Sequence, residues 1–154
     1  MEHTAWANIF NVLDTQSKGG FMSGETDLNT LLKTLQPALS PESFVFVSVP
    51  YAVSPTHLAN ALMVYKEDEG ITLILESSFA RNEGFAVDSI YKRITCNVHS
   101  SLDAVGMTAT MSAGLTRANI SANVVAGFYH DHIFVPASRA DEAIAVLLEL
   151  ANPS

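Results

Sequence analysis

The hydrophobic positions of the first half change from a helical to an extended spacing. The leucines from Leu28 to Leu35 repeat every three or four residues, which predicts one apolar face of a helix that Thr26 caps and Pro37 ends. Residues 44–49 are apolar on both faces and rich in β-branched side chains, which is typical of a central strand. The other elements predicted in this half are a turn at 50–55 with His57 exposed beside it, a hairpin of strands 62–66 and 71–75, and a short helix at 77–83.

The second half repeats this pattern more regularly. Ile94, Cys96 and Val98 alternate with polar residues, which predicts a half-buried strand at 92–99 with Cys96 as a buried structural thiol. Ser100 or Ser101 can cap a helix that reaches about residue 118. The remaining predicted elements are a strand at 120–128, a tight turn at 130–132, a strand ended by Pro136, and a last helix for which Ser138 and Asp141 form a variant of the capping box.

The order of these elements predicts an α+β fold with an antiparallel or mixed sheet and helices on one face. The second half has the order β-α-β-β-α, which is a ferredoxin-like unit without its last strand. That strand must come from the first half or from a partner subunit, or it does not exist. We expect two units, at residues 22–90 and 91–154, that join into one continuous sheet.

Residues 1–21 differ from the rest of the chain. Apolar residues at helical spacing, from Trp6 to Leu13, precede a polar stretch at 14–20. One interpretation is a short amphipathic helix that is docked on the domain or loosely packed at the terminus. The other is that Met22 is the native start.

The predicted last helix is apolar on nearly every side between residues 140 and 150. A helix of this kind is buried by more than one neighbour. We therefore expect it to contact the other unit or a second subunit, as in a homodimer.

Composition narrows the classes of function. The chain has 154 residues, of which 48% are hydrophobic and 16% charged, with a formal net charge of −8. A charged fraction well below the usual ~25% indicates surfaces shared between units or subunits, and disorder is excluded because that needs low hydrophobicity. Few and dispersed basic residues argue against nucleic acid. An apolar run of roughly 18–20 residues, as a membrane span needs, is missing, as is a secretory leader, and the single cysteine fits a cytoplasmic protein.

The segment between strand 92–99 and the next helix could bind an α-amino acid. Backbone N–H groups at a helix start attract a carboxylate, Gly106 allows close approach to the backbone, and Asp103 could hold an ammonium group. An ordinary capped helix explains the same residues. Asn123, in an otherwise apolar strand, either lies exposed on the open face of the sheet or hydrogen-bonds a ligand or loop.

Metal binding and catalysis receive little support. His130, Asp131 and His132 could contribute to a metal site with His99 as a third imidazole, but a turn whose polar groups hydrogen-bond the backbone explains them better. The sequence contains no GxSxG elbow, P-loop, GxGxxG motif or cysteine–histidine constellation. No enzyme activity and no cofactor are therefore predicted.

Two long segments are distinctive: residues 98–108 (VHSSLDAVGMT) and 119–136 (NISANVVAGFYHDHIFVP). Together they resemble the signature of a bacterial family of small tandem ACT-domain proteins, and a weaker likeness extends through 23–28 (SGETDL) and 69–73 (EGITL). This family is similar to the regulatory ACT modules of aspartate kinases and to the cytosolic arginine sensor of animals. The resemblance implies two ferredoxin-like ACT units, of βαββαβ type, in tandem. It also implies ligand-binding residues in the loop after the first strand and on the facing strand: Asp103, Gly106, Met107, Thr108, Asn123 and Val124.

The function that this resemblance implies is a non-catalytic regulatory or sensor protein. It would bind a small ligand, an amino acid in our interpretation, at an interface between ACT units, and act on an enzyme or transporter. Two alternatives stay open. One is a protein–protein interaction module without a small ligand, and the other is a metal-binding protein that uses His130 and His132.

Overall fold

The computed structural model describes residues 26–98 and 104–152, and within them six strands form one antiparallel sheet. The elements are α1 (Leu28–Lys33), β1 (Pro37–Val49), α2 (Pro55–Asn60), β2 (Ala61–Glu67), β3 (Gly70–Glu76), α3 (Ser77–Asn82), β4 (Tyr91–Cys96), α4 (Met107–Arg117), β5 (Asn123–Ala126), β6 (Asp131–Pro136), a 3₁₀ turn (Ala137–Arg139) and α5 (Ala140–Ala151). The strand order is β2-β3-β1-β4-β6-β5. The predicted α+β fold with an antiparallel sheet is confirmed.

The long first strand joins the two halves of the sheet. Residues 44–49 of β1 pair with β3, whereas residues 37–39 and 43–44 pair with β4. The register shifts between Leu39 and Ser43, around Pro41, which has no N–H to donate to a ladder. The second half therefore receives its missing strand from the first half. Strand β4 of the second half also lies beside β1, at the position where a ferredoxin-like first half needs its last strand.

One face of the sheet is covered by the helices, which form two hydrophobic clusters with it. The first half packs α2 and α3 on β1 and β3. The second half packs α4 and α5 on β4 and β6, and α1 joins this second cluster through Leu31 and Leu35. A Cβ on Gly114 of α4 would lie 2.8 Å from Leu150 Cδ1, so glycine allows α5 to pack closely on α4. The contact with the other unit that we expected for the last helix is thus present, because α5 meets α1 of the first half in this cluster.

The other face of the sheet curls into a concave surface that we call the hollow face. Phe44, Ile74 and Phe134 point to this face and are buried there, although no helix of the described chain covers them. The ring centroids of Phe44 and Phe134 are 5.7 Å apart, and those of Phe46 and Phe134 are 5.4 Å apart, in edge-to-face arrangements. A register shift between Ala61 and Met63 bends the edge strand β2 in the way that a β-bulge does.

Several predicted element boundaries are wrong. Strand β1 begins at Pro37 rather than at residue 44, because residues 37–43 pair with β4. Helix α4 begins at Met107 and not at Ser100 or Ser101, and β5 covers residues 123–126 instead of 120–128. Helix α2 follows the predicted turn and has no counterpart among the predicted elements. The predicted helix in residues 1–21 falls outside the described residues.

Two predicted helix caps and the predicted position of one histidine are also wrong. Asp27, not Thr26, is the N-cap of α1, and its Oδ1 accepts a hydrogen bond from Thr30 N at 2.8 Å. Ser138 lies in the 3₁₀ turn, and α5 starts instead with an ion pair between Arg139 Nε and Glu142 Oε2 at 2.8 Å. His57 is not an exposed loop residue: it lies in α2, half-buried, with its ring 5.0 Å from that of Phe85.

Cys96 is buried on the helical side of β4, as its alternation predicts. Its Sγ lies 3.5 Å from Met111 Sδ, and burial raises the pKa of the thiol to about 12. We expect the folded protein to react with a thiol-specific reagent at pH 8 at least ~100-fold more slowly than the denatured protein, because the thiolate is both scarce and inaccessible. A colorimetric thiol assay with and without denaturant measures this ratio. Equal rates in the two states would contradict the burial.

Candidate ligand-binding site

The start of α4 has a backbone conformation that favours glycine. Gly106 has φ 98° and ψ −16°, in the left-handed region, and no side chain of residues 26–98 or 104–152 caps the helix there. Its carbonyl oxygen accepts the hydrogen bond from Thr110 N at 2.9 Å. The N–H groups of the first turn of a helix have no partner within the helix, so they are suited to an anionic group.

Helix α1 of the first half touches this point. A Cβ on Gly106 would lie 3.2 Å from Leu28 Cδ2, so glycine also makes room for α1. Of the other predicted loop residues, Met107 is only 2% exposed and packs in the core, whereas Thr108 is exposed. Asp103 lies outside the described residues. The start of α4 is therefore a junction between the two halves, where Met107 offers its backbone and Thr108 its side chain.

The two predicted residues of the facing strand lie on opposite faces of the sheet. Val124 pairs with Ile133 and packs against the helical core that also contains Met107. Asn123 pairs with Phe134, and its Nδ2 donates a hydrogen bond of 3.4 Å to the Phe134 carbonyl on the hollow face. The structure thus brings Met107 and Val124 into one cluster and places Asn123 away from it. Of the two predictions made for Asn123, exposure on the open face of the sheet agrees better with this position than a contact with a loop does.

The histidines of the hairpin between β5 and β6 have different partners. His130 Nδ1 lies 3.5 Å from the Val98 carbonyl oxygen, and His132 Nδ1 lies 3.0 Å from Thr95 Oγ1. Asp131 between them is the first residue of β6, and burial raises the pKa of its carboxyl group. Burial, followed by the charge of Arg93, lowers the pKa of His132. Within residues 26–98 and 104–152, no group of three or more potential ligands could hold a metal ion.

Two concave surfaces were not anticipated from the sequence. One is a cleft of about 410 Å³ at the junction of the halves, lined by residues 88–91 and 136–138. The other is a cavity of about 70 Å³ in the hollow face, lined by Leu62, Met63, Ile74, Arg93, Val125, His132 and Phe134. The alternation along β4 places Arg93 only on the polar side of a half-buried strand. The signal that could have singled it out is a guanidinium in the middle of a central strand, where charge is costly.

Comparison with known proteins gives both halves the same assignment. Residues 23–92 match a model of the ACT domain, and residues 89–149 match a second model of the ACT domain. The chain belongs to the ACT-domain family. ACT domains are ferredoxin-like, typically regulatory modules that bind small ligands, and they generally form oligomers. The first ACT domain contains α1 and the second contains α4, so the start of α4 lies where the two ACT domains meet.

Solved structures with the same fold include a substantial sequence relative. A protein of unknown function from Vibrio cholerae, described as a possible transport protein, is 38% identical, with 81% of this chain and 96% of that one covered and a TM-score of 0.73. The regulatory subunit of aspartate kinase from Thermus flavus is 10% identical, with 74% and 95% covered and a TM-score of 0.54. Aspartokinase α and β subunits are 12% identical, with 75% and 97% covered and a TM-score of 0.54. No curated protein matches.

The described part of the chain contains no helix that is both long enough and apolar enough to cross a membrane.

Proposed function

We propose that this tandem ACT protein is a non-catalytic sensor that binds an amino acid at the junction of its two ACT domains. In the cytoplasm it would transmit that binding to an enzyme or transporter. The observation that carries the proposal is the contact between the domains at the start of α4, where Leu28 of α1 approaches Gly106. A ligand seated there touches both domains, so it can favour one packing of the domains over another.

Each end of an amino acid has a counterpart at this junction. The N–H groups of the first turn of α4 suit the α-carboxylate, and the left-handed Gly106 lets the carboxylate reach them. Asp103 precedes this helix in the sequence, and in this proposal its carboxylate pairs with the ammonium group. Thr108 is exposed in the first turn and can add a hydroxyl group.

A sensor of this kind works only if the ligand has different contacts in two states. The contact between α1 and α4 is one that can differ between the two states, because α1 is a helix of only six residues. Moving α1 would change the burial of Leu31 and Leu35 in the second domain. We propose that ligand binding fixes α1 against α4 and that a homodimer exposes this state to the regulated protein. The relative described as a possible transport protein makes a transporter one candidate for that protein.

Screening the twenty amino acids by thermal unfolding tests the proposal. We expect at least one of them, at a concentration ~100 times its Kd, to stabilise the fold by about 2.7 kcal/mol. For a domain of this size that corresponds to a rise in Tm of roughly 5–10 °C. Calorimetric titration of the same amino acid then gives the stoichiometry.

Asp103→Asn should abolish this response, since it removes the charge that we assign to the ammonium group. The matched control is Asp68→Asn, the same change in the exposed turn between β2 and β3, and it should respond as the unmodified chain does. If no amino acid raises the Tm at millimolar concentration, the small-ligand function is wrong, and a protein–protein interaction module becomes the better interpretation. If Asp103→Asn responds normally, the binding site is misplaced.

A further inference from the structure

Arg93 places a positive charge inside the hollow face. It lies in the middle of β4 and pairs with Phe134 of β6, so its side chain shares the face of the buried aromatic residues. The guanidinium carbon lies 5.4 Å from the centroid of the Phe44 ring. A charge at such a position needs partners, because the apolar surroundings replace water poorly.

The described chain gives this guanidinium few partners. Nη2 donates one long hydrogen bond, of 3.5 Å, to Ser40 Oγ. Nε is buried and makes no hydrogen bond with any residue of 26–98 or 104–152. No carboxylate in these ranges lies within 4 Å of the guanidinium nitrogens. The pKa of Glu42 is lowered first by the hydrogen bond from Ser40 and only to a lesser degree by the charge of Arg93.

The nitrogens Nε and Nη2 of Arg93 lie on one edge of its guanidinium group. Nε–H and one N–H of Nη2 point in the same direction and together match the two oxygens of a carboxylate. One of the two has no partner in the described chain, and the other has a weak one. Leaving a buried donor unpaired costs free energy, which an acceptor from outside the chain would recover.

The rest of the cavity favours a small anion with an apolar body. Leu62 and Met63 on edge strand β2 and Val125 on edge strand β5 form its walls, and Ile74 and Phe134 form its floor. His132 is the other ionisable residue of the lining, and burial and Arg93 lower its pKa, so it is neutral at neutral pH. At about 70 Å³ the cavity suits a group of a few atoms.

We propose that the hollow face binds a small monocarboxylate, whose oxygens accept hydrogen bonds from Nε and Nη2 of Arg93 and whose carbon chain lies among Met63, Val125 and Phe134. This site is on the opposite face of the sheet from α4. It is therefore separate from the amino-acid site at the domain junction, and the two proposals fail independently.

Acetate is the probe for this site. We expect saturating sodium acetate to raise the Tm by about 3 °C relative to sodium chloride at the same ionic strength. In a spectrum of the ¹⁵N-labelled chain, the Nε–H signal of Arg93 should move downfield and saturate with acetate. The signal of Arg81, which is exposed in the last turn of α3, should not move. The spectrum needs no substitution, so it decides the matter even if a variant fails to fold.

Four variants complete the experiment. Arg93→Gln should lose the acetate response, and the matched Arg81→Gln should keep it. Val125→Phe retains the guanidinium but fills the cavity, and it should also lose the response. Chloride that stabilises as well as acetate, an Arg93 signal that moves no more than that of Arg81, or an unchanged response in Arg93→Gln would each overturn the proposal. Asp103→Asn should bind acetate as the unmodified chain does.

Discussion

Replacing Phe134 by alanine is expected to lower the free energy of unfolding by about 3–5 kcal/mol, which is the usual cost of removing a buried phenylalanine. Phe134 is 1% exposed, and it lies on the hollow face. Its ring meets those of Phe44 and Phe46 edge to face, at centroid distances of 5.7 and 5.4 Å, and each such pair adds roughly 0.5–1.5 kcal/mol beyond burial. The change therefore removes the centre of the cluster that the curled sheet encloses.

Urea denaturation followed by circular dichroism measures this loss. Phe128→Ala is the matched control: it makes the same change in the hairpin that precedes β6, at a side chain that is 57% exposed. We expect the control to cost about 1 kcal/mol or less. Equal losses for the two variants would mean that the hollow face is not a core, and that Phe134 is as exposed in solution as Phe128.

The curl that creates this second core is the main feature of the fold that the sequence could not predict. Alternation of apolar and polar residues identified the helical side of β4 correctly, from Ile94 and Cys96. It could not show that the opposite side is buried as well, because sheet curvature depends on features such as the register shift after Ala61. The low charge of 16% is explained by this result, since both faces of one sheet bury apolar side chains.

The boundaries failed where long-range pairing overrode local signals. Residues 37–43 contain two prolines and a polar stretch that do not suggest a strand, yet β4 supplies partners for much of this segment. The serines before α4 are good caps by type, but the helix begins only at Met107, after the left-handed Gly106. The backbone conformation of Gly106 determines where α4 begins, and the pattern of apolar and polar side chains carries no information about that conformation.

The candidate site was predicted in part. The approach of α1 to Gly106 agrees with the expectation that a site lies between units, and Thr108 is exposed there. The alternation of β5 already implies that Asn123 and Val124 point to opposite faces, so residue spacing alone could have separated them. The position of Arg93 in the middle of a strand was a signal, but the lack of an acid beside it in the described chain depends on contacts between distant strands, which the sequence pattern does not show. The role of all six predicted residues in ligand binding stays a prediction.

Replacing Leu31 by alanine tests whether α1 of the first ACT domain completes the core of the second. Leu31 is fully buried in the cluster that contains α4 and α5, so we expect the change to cost about 2–5 kcal/mol. Leu148→Ala is the matched control, because it makes the same substitution in the same helical layer at a side chain that is 45% exposed. The control should cost about 1 kcal/mol or less.

The shape of the unfolding curve distinguishes a shared core from two independent ones. Strand β1 pairs with both β3 and β4, and α1 packs across the boundary, so the two ACT domains should unfold in one cooperative transition. In Leu31→Ala the whole transition should move to a lower urea concentration with an unchanged slope. A loss below about 1 kcal/mol, or a shift of only one of two separate transitions, would show that α1 does not join the domains. In that event α1 could not transmit ligand binding at Gly106 to the second core, and the sensor would need another connecting element.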